Sequence, residues 1–273
     1  MPITALYAST LKRAYSTAVS VQQYQPKQLE LNAKPDLREQ HFGIAEGRQW
    51  MPTHPAIEAA MSSPNRDEAL QKTILDLAAQ DIFPVIPDRK HRFPEGESSD
   101  DLAIRAKRAL KECVLAHFTE YVVNGGKEDV HVVAVSHGMC ISEMTAALLA
   151  LDPQADHAKS YRGLLNTAWI RAEISVRVCY FRMSIPTCVF NLSIIQESFT
   201  GPFDVSNPAP LEVKVTHFNN FDHLKTLVTQ STCRCFFLIF ARLSRIRLQK
   251  RSWMMPADSL LGRPQSEIKC YPA

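Results

Sequence analysis

The feature that most limits the fold of this chain is an almost wholly apolar run, residues 131–136, that ends at a His137-Gly138 pair. Its three valines and its short length are typical of a central parallel strand that helices cover on both faces. A helical segment, residues 139–151, follows the pair directly. Because ligands of open α/β sheets collect at the carboxyl ends of strands, near helix N-termini, a binding site is expected at this turn.

Several other segments fit the same plan. Residues 3–8 form a short apolar run that predicts a buried strand, and the hydroxyls of Ser9 and Thr10 are predicted to cap a helix that extends to residue 21. Further helices are predicted over 65–79 and 98–123, and weaker strands over 29–31 and 211–215. We therefore expect an α/β fold, a three-layer α/β/α sandwich with a mostly parallel central sheet.

Composition fits a globular chain and argues against several classes. The 273 residues are 45% hydrophobic and 22% charged, which suits one large α/β domain or two small ones. Seven cysteines, an odd number without C-x-x-C pairs, favour free thiols over a disulfide framework or a zinc site. The sequence shows neither an apolar stretch long enough to cross a membrane nor a secretory signal, so a cytoplasmic location is expected.

The formal net charge of +3 is unevenly distributed. From residue 231 onward there are eight basic and two acidic residues, which leaves 23 of the 31 basic and 26 of the 28 acidic groups to residues 1–230. A slightly acidic body offers no basic face, so neither nucleic acid nor a membrane is expected as a partner. The alternative is that residues 236–251, where apolar residues and arginines mix, form a helix that binds a membrane surface or nucleic acid.

Four side chains could carry chemistry, and each also has a plain structural explanation. His137 could meet an anion or transfer a proton, or it could simply cap the turn. Arg13, early in a helix, could clamp a phosphate, or it could be an ordinary solvated residue. Glu39 could be a general acid or could pair with Arg38. Glu97 could pair with an active-site arginine or favour the N-terminus of the following helix through the helix dipole.

Together, five segments resemble the motifs of the histidine phosphatase superfamily, in the order in which that family has them. Residues 7–18 are similar to its second motif, with Arg13 at the phosphate-binding arginine, and residues 37–47 to its L-x-E-x-x-F-G-x-x-E-G stretch. Residues 95–98 resemble its G-E-S segment with Arg105 downstream, residues 131–141 its V-x-S-H-G-x-x-I stretch, and residues 166–168 its N-T-x segment. The resemblance covers about residues 3–174 and is nearest to phosphoglycerate-mutase-like proteins of the fungal type.

The resemblance implies covalent phosphoryl transfer, in which a histidine nucleophile attacks the phosphorus of a phosphorylated small molecule. It places Glu39 as the proton donor, Arg13 as a phosphate ligand and His137 as the second catalytic histidine. It implies no metal and no other cofactor, because cationic side chains neutralise the phosphate. The further residues that it assigns to phosphate or substrate binding are Ser9, Glu97, Gly138 and Asn166.

One motif of the family is missing. The family carries an R-H-G triplet at the end of its first strand, and none of the nine histidines here follows an arginine and precedes a glycine. We therefore expect a truncated N-terminus, a sheet without its first strand, and impaired activity. The alternative function is a non-catalytic relative that binds phosphate without turnover. Neither the substrate, the choice between mutase and phosphatase, nor the oligomeric state follows from the sequence.

Four regions are expected along the chain. Residues 1–174 are predicted to form the histidine phosphatase-like domain, and residues 175–197 an irregular apolar insert. Residues 198–230 are predicted to complete the domain, and residues 231–273 to form a basic, poorly ordered tail.

Overall fold

A computed structural model describes residues 2–123, 129–176, 211–222 and 237–243. The helices are α1 (Lys12–Gln23), α2 (Pro55–Met61), α3 (Arg66–Ala78), α4 (Ser99–Leu110), α5 (Ala116–Val123) and α6 (Gly138–Leu149), and a π-helical turn, Lys111–Leu115, joins α4 to α5. The strands are β1 (Ala5–Ser9), β2 (Leu31–Lys34), β3 (Trp50–Met51), β4 (Phe83–Pro84), β5 (Val130–Ser136), β6 (Trp169–Val176), β7 (Leu211–Asn220) and β8 (Phe237–Leu243).

Six strands form one sheet in the order β2-β1-β5-β8-β6-β7. The first three run parallel, as the apolar pattern of β5 predicts, with Ala8 of β1 opposite Val135 of β5. Strand β8 is antiparallel to β5 and parallel to β6, and β6 is antiparallel to β7. Three of the five pairings are therefore parallel, in agreement with the predicted mostly parallel sheet.

Strand β5 shows why the sheet needs helices on both sides. Its side chains alternate between two apolar clusters: Val132 and Ala134 face the cluster that includes α4 and α6, whereas Val133 and Val135 face the cluster that includes α1. All four side chains are almost completely buried. Burial on both faces is what a continuous apolar strand requires, and it makes the molecule the predicted three-layer α/β/α sandwich.

Strand β8 was not predicted from the sequence. It falls within residues 231–273, for which a poorly ordered tail is expected, and within residues 236–251, for which the alternative is a helix. The helix is wrong for Phe237–Leu243, because these residues are extended and pair with β5 on one side and β6 on the other. This pairing covers the edge of β5 that does not pair with β1. Residues 177–210, which contain most of the predicted insert, lie outside the described residues.

A second, smaller apolar cluster is formed by residues from the middle of the chain. Helices α2 and α3 and the short β3–β4 pair bury a separate apolar group around Ile74, Phe83 and Phe93. Trp50 packs edge-on against Phe93, with ring centroids 5.7 Å apart. Residues 40–47 and 93–97 connect this cluster to the sheet.

Local boundaries follow the predictions with small shifts. Ser98 caps α4 as expected: its side chain accepts from the Asp101 N–H, and the Asp101 carboxylate accepts from the Ser98 N–H. The predicted cap by Ser9 and Thr10 is wrong, because Leu11 is the N-cap residue of α1 and no side chain that the structure describes caps this helix; Ser9 is the last residue of β1. Strand β2 starts two residues later than expected. Among the described helices, none is long and apolar enough to cross a membrane.

Candidate functional site

His137 lies where β5 ends and α6 begins, with only 1% of its surface exposed. Its Nδ1 is 3.2 Å from the Nε of Arg13, and its Nε2 is 2.9 Å from the Oγ of Ser9. An arginine can only donate, so Nδ1 accepts from Arg13. A neutral ring then carries its proton on Nε2 and donates it to the Ser9 hydroxyl.

The surroundings keep this histidine neutral. Burial and, to a smaller extent, the positive charges of Arg13, Arg105 and Arg38 together lower the pKa of His137 to about 3. Three cations around an unprotonated imidazole form a place where negative charge is stabilised and further positive charge is not.

The topology explains how residues so far apart in sequence meet. Strands β1 and β5 are parallel neighbours, so their carboxyl ends lie side by side, which brings Ser9 next to the turn at His137. Helix α1 starts directly after this point, and its second residue is Arg13, whose side chain is exposed to solvent. The predicted association of Ser9, Arg13 and His137 is therefore present in the structure.

Glu39 reaches the same turn from the loop after β2. Its carboxylate accepts hydrogen bonds from the backbone N–H groups of Met139 and Cys140, both at 3.3 Å, in the first turn of α6. Burial raises the pKa of Glu39, although the backbone hydrogen bonds and the charge of Arg13 oppose that shift. A carboxyl group with a raised pKa holds its proton more readily, as a general acid must.

Arg105, on α4, holds the loop that carries Glu39. Its Nε and Nη2 donate to the two carboxylate oxygens of Glu97 at 2.9 and 2.7 Å. Its remaining donors bind three backbone carbonyls, those of Asp36 at 3.0 Å, Arg38 at 2.8 Å and Glu39 at 3.1 Å. The guanidinium thereby uses its five N–H groups, two on Glu97 and three on the loop that carries Glu39.

Glu97 is the partner of this arginine rather than of the one at the phosphate position. Burial acts to raise its pKa, but hydrogen bonds from Arg105 and from the backbone N–H of His41 outweigh it and hold the pKa of Glu97 below its usual value. Of its two expected roles, pairing with an arginine is the one that the structure shows.

The structure shows the positions of two further predicted residues, Gly138 and Asn166. Gly138 is the first residue of α6, next to His137. Asn166 lies in the turn before β6, where its carbonyl accepts from the Thr167 hydroxyl at 2.7 Å. That both bind substrate stays a prediction.

Two residues of the site were missed. Ser136, the last residue of β5, donates from Oγ to the carbonyl of Leu37 at 2.7 Å, which ties the Glu39 loop to the strand. Gln40 is buried and donates to the carbonyl of Glu97 at 2.7 Å. Both are polar residues inside the motifs, residues 131–141 and 37–47, and this is the only signal in the sequence that they belong to the site.

Within the described parts of the chain, no group of three or more His, Cys, Asp or Glu side chains could hold a metal ion. Cys113 and Cys140 are free and buried, in line with the expected free thiols, and burial raises the pKa of each to about 12.

The molecule is an α/β sandwich with a neutral histidine and an arginine just beyond the carboxyl ends of two adjacent parallel strands. Proteins of this class are suited to binding anions. The sequence profile of the histidine phosphatase superfamily (branch 1) matches residues 1–179. The chain belongs to this superfamily.

Other comparisons add little. A solved structure titled "Mycobacterial hydrolase 1" is 26% identical, over 55% of this chain and 58% of that one, with a TM-score of 0.31. The chain thus spans little more than half the length of that protein. No protein of curated function matches the sequence.

Proposed function

We propose that the chain binds the phosphate group of a phosphomonoester between Ser9, Arg13 and His137, and that Glu39 serves as the proton donor to the leaving oxygen. The observation that carries this proposal is the meeting of Arg13 and His137, 124 residues apart in sequence, at 3.2 Å. A phosphate oxygen that enters here would replace the direct contact between the two side chains and accept from the guanidinium of Arg13.

The chemistry would follow the family. A histidine nitrogen attacks the phosphorus while the bond from phosphorus to the leaving oxygen breaks, and Glu39 gives that oxygen its proton. Arg13 and His137 stabilise the equatorial oxygens, and water then attacks the phosphohistidine and releases phosphate. The raised pKa of Glu39 supports its role as the acid, and its contacts with the first N–H groups of α6 hold it beside the turn at His137.

The nucleophile is the open step of this mechanism. None of the nine histidines lies in an R-H-G triplet, and His137 itself is held between Arg13 and Ser9. This observation favours a second candidate function, in which the chain binds a phosphomonoester without turnover. Both candidates require the same phosphate site.

The test separates binding from turnover. Hydrolysis of an aryl phosphate is measured for the purified chain, for a version extended upstream by an R-H-G-bearing strand, and for a His137→Ala variant of that version. Activity of the extended form alone, lost in the variant, supports phosphoryl transfer through a phosphohistidine. Binding of inorganic phosphate by all forms without any hydrolysis supports the second candidate, and absence of both binding and hydrolysis refutes the proposed function.

A further inference from the structure

The loop of residues 36–39 is fixed to the turn that carries His137 from two sides. Before Arg38, the carbonyl of Leu37 accepts from the Ser136 hydroxyl at 2.7 Å. After it, the carboxylate of Glu39 accepts from the backbone N–H groups of Met139 and Cys140. Residues on both sides of Arg38 are thus bound to residues on both sides of His137.

The backbone of Arg38 is also fixed. Its carbonyl accepts from Nη1 of Arg105 at 2.8 Å, and the neighbouring carbonyls of Asp36 and Glu39 accept from the same guanidinium. With the Leu37 carbonyl bound to Ser136, all four carbonyls of residues 36–39 are hydrogen-bonded, so the origin of the Arg38 side chain is set beside the β5–α6 turn.

The side chain of Arg38 has a different character from that of the other arginines around this loop. Arg105 forms a bidentate ion pair with Glu97, and Arg108 forms one with Asp36. The guanidinium of Arg38, by contrast, is exposed and has no hydrogen-bond or ion-pair partner among the residues that the structure describes. Its charge nevertheless contributes to the lowered pKa of His137, so it lies within electrostatic reach of the site.

We propose that Arg38 is a second cationic ligand of the substrate phosphate, facing Arg13 across the turn at His137. This inference rests on the proposed function, because it assigns a further binding residue to the same site. A phosphomonoester dianion carries more charge than one guanidinium neutralises. Two arginines, one from α1 and one from the Glu39 loop, match it in charge and can each donate two hydrogen bonds.

The test uses inorganic phosphate as the probe and the full chain as the protein. Dissociation constants are measured by NMR at fixed pH and ionic strength, because phosphate contacts are sensitive to salt. Arg38→Gln should weaken phosphate binding by about tenfold, the loss expected for a charge-assisted contact. Arg38→Lys should restore part of the affinity, because it keeps the charge but not the fork. Arg108→Gln, an exposed arginine near the same loop, should leave the affinity within about twofold of wild type.

The outcomes separate this inference from the function on which it rests. If Arg13→Gln weakens phosphate binding and Arg38→Gln does not, the role of Arg38 is refuted and the proposed site stands. If Arg38→Gln and Arg108→Gln weaken binding equally, only the general field of positive charge matters and Arg38 is not a ligand. If the wild-type chain does not bind phosphate, the inference and the proposed function both fall.

Discussion

Replacing Arg105 by glutamine should destabilise the fold more than any other single change of an arginine at this site. The side chain is 11% exposed and its partner Glu97 is 28% exposed, so both charges are mostly shielded from water. The substitution removes two charge-assisted hydrogen bonds and leaves three carbonyls of residues 36–39 without their donor. Breaking a buried pair from one side costs about 3–5 kcal/mol. Because water can reach Glu97 in part, we expect the lower end, about 3 kcal/mol of unfolding free energy.

The assay is urea unfolding followed by tryptophan fluorescence and far-ultraviolet circular dichroism, with the slope of the transition compared between variants. Arg108→Gln is the matched control. Arg108 lies one turn further along α4 and forms a bidentate ion pair with the Asp36 carboxylate, but its side chain is 57% exposed. An exposed pair of this kind is expected to contribute nothing measurable. Equal midpoints for the two variants would refute the reasoning that burial and the three carbonyls make Arg105 different.

The pH dependence gives a second check on the same pair. The pKa of Glu97 is lowered in the folded protein, so the unfolded state binds the proton more readily as the pH falls. The contribution of the pair is therefore complete above the unfolded pKa of about 4.5 and is lost as the pH falls through the lower, folded value. The difference in stability between wild type and Arg105→Gln should shrink in acid, and a difference that stays constant down to acid pH would contradict this assignment.

Two further predictions concern a glycine and the central histidine. Gly43→Ala should lower the free energy of unfolding by at least about 3 kcal/mol, because the added Cβ would overlap the Pro94 carbonyl and the residue has a positive φ. Gly47→Ala is the control: its φ is also positive but the space around it is open, so the loss should be only about 1 kcal/mol. Equal losses of the two variants in thermal unfolding would refute the overlap. The low pKa of His137, about 3, means that the unfolded state gains the proton first, so wild type should lose about 2 kcal/mol relative to His137→Gln between pH 7 and pH 5. If wild type and His137→Gln lose the same stability between pH 7 and pH 5, this prediction is wrong. It is also wrong if replacing an exposed histidine, as in His157→Gln, changes the pH dependence by the same amount.

The parts of the fold that sequence predicts correctly are those with a strong local signal. Strand β5 and helix α6 follow from a continuous apolar run and a helical segment, and the capping box at Ser98 follows from a serine followed by acids. Each of these signals lies within a few residues, so no distant contact is needed to interpret it.

Strand β8 has no such signal. Its residues pair with a strand about a hundred positions earlier, and the choice of partner depends on which edge of β5 is free rather than on the pattern of β8 itself. Ser9 illustrates the same limit at the level of one side chain. A hydroxyl before a helix predicts a cap, but the neighbouring strand brings His137 within 2.9 Å and gives the hydroxyl another partner.

The contacts around His137 divide the site into a fixed and an adjustable part. Glu39 and His137 belong to one rigid unit, because the loop after β2 is bound to β5 through Ser136 and to α6 through the Glu39 carboxylate. Arg13 and Arg38 reach this unit with exposed side chains of several rotatable bonds. Adjustable cations can follow a phosphate as it enters the site, whereas proton transfer requires fixed distances. We therefore expect ligand binding to change the conformation of the two arginines and to leave the distance between Glu39 and His137 unchanged.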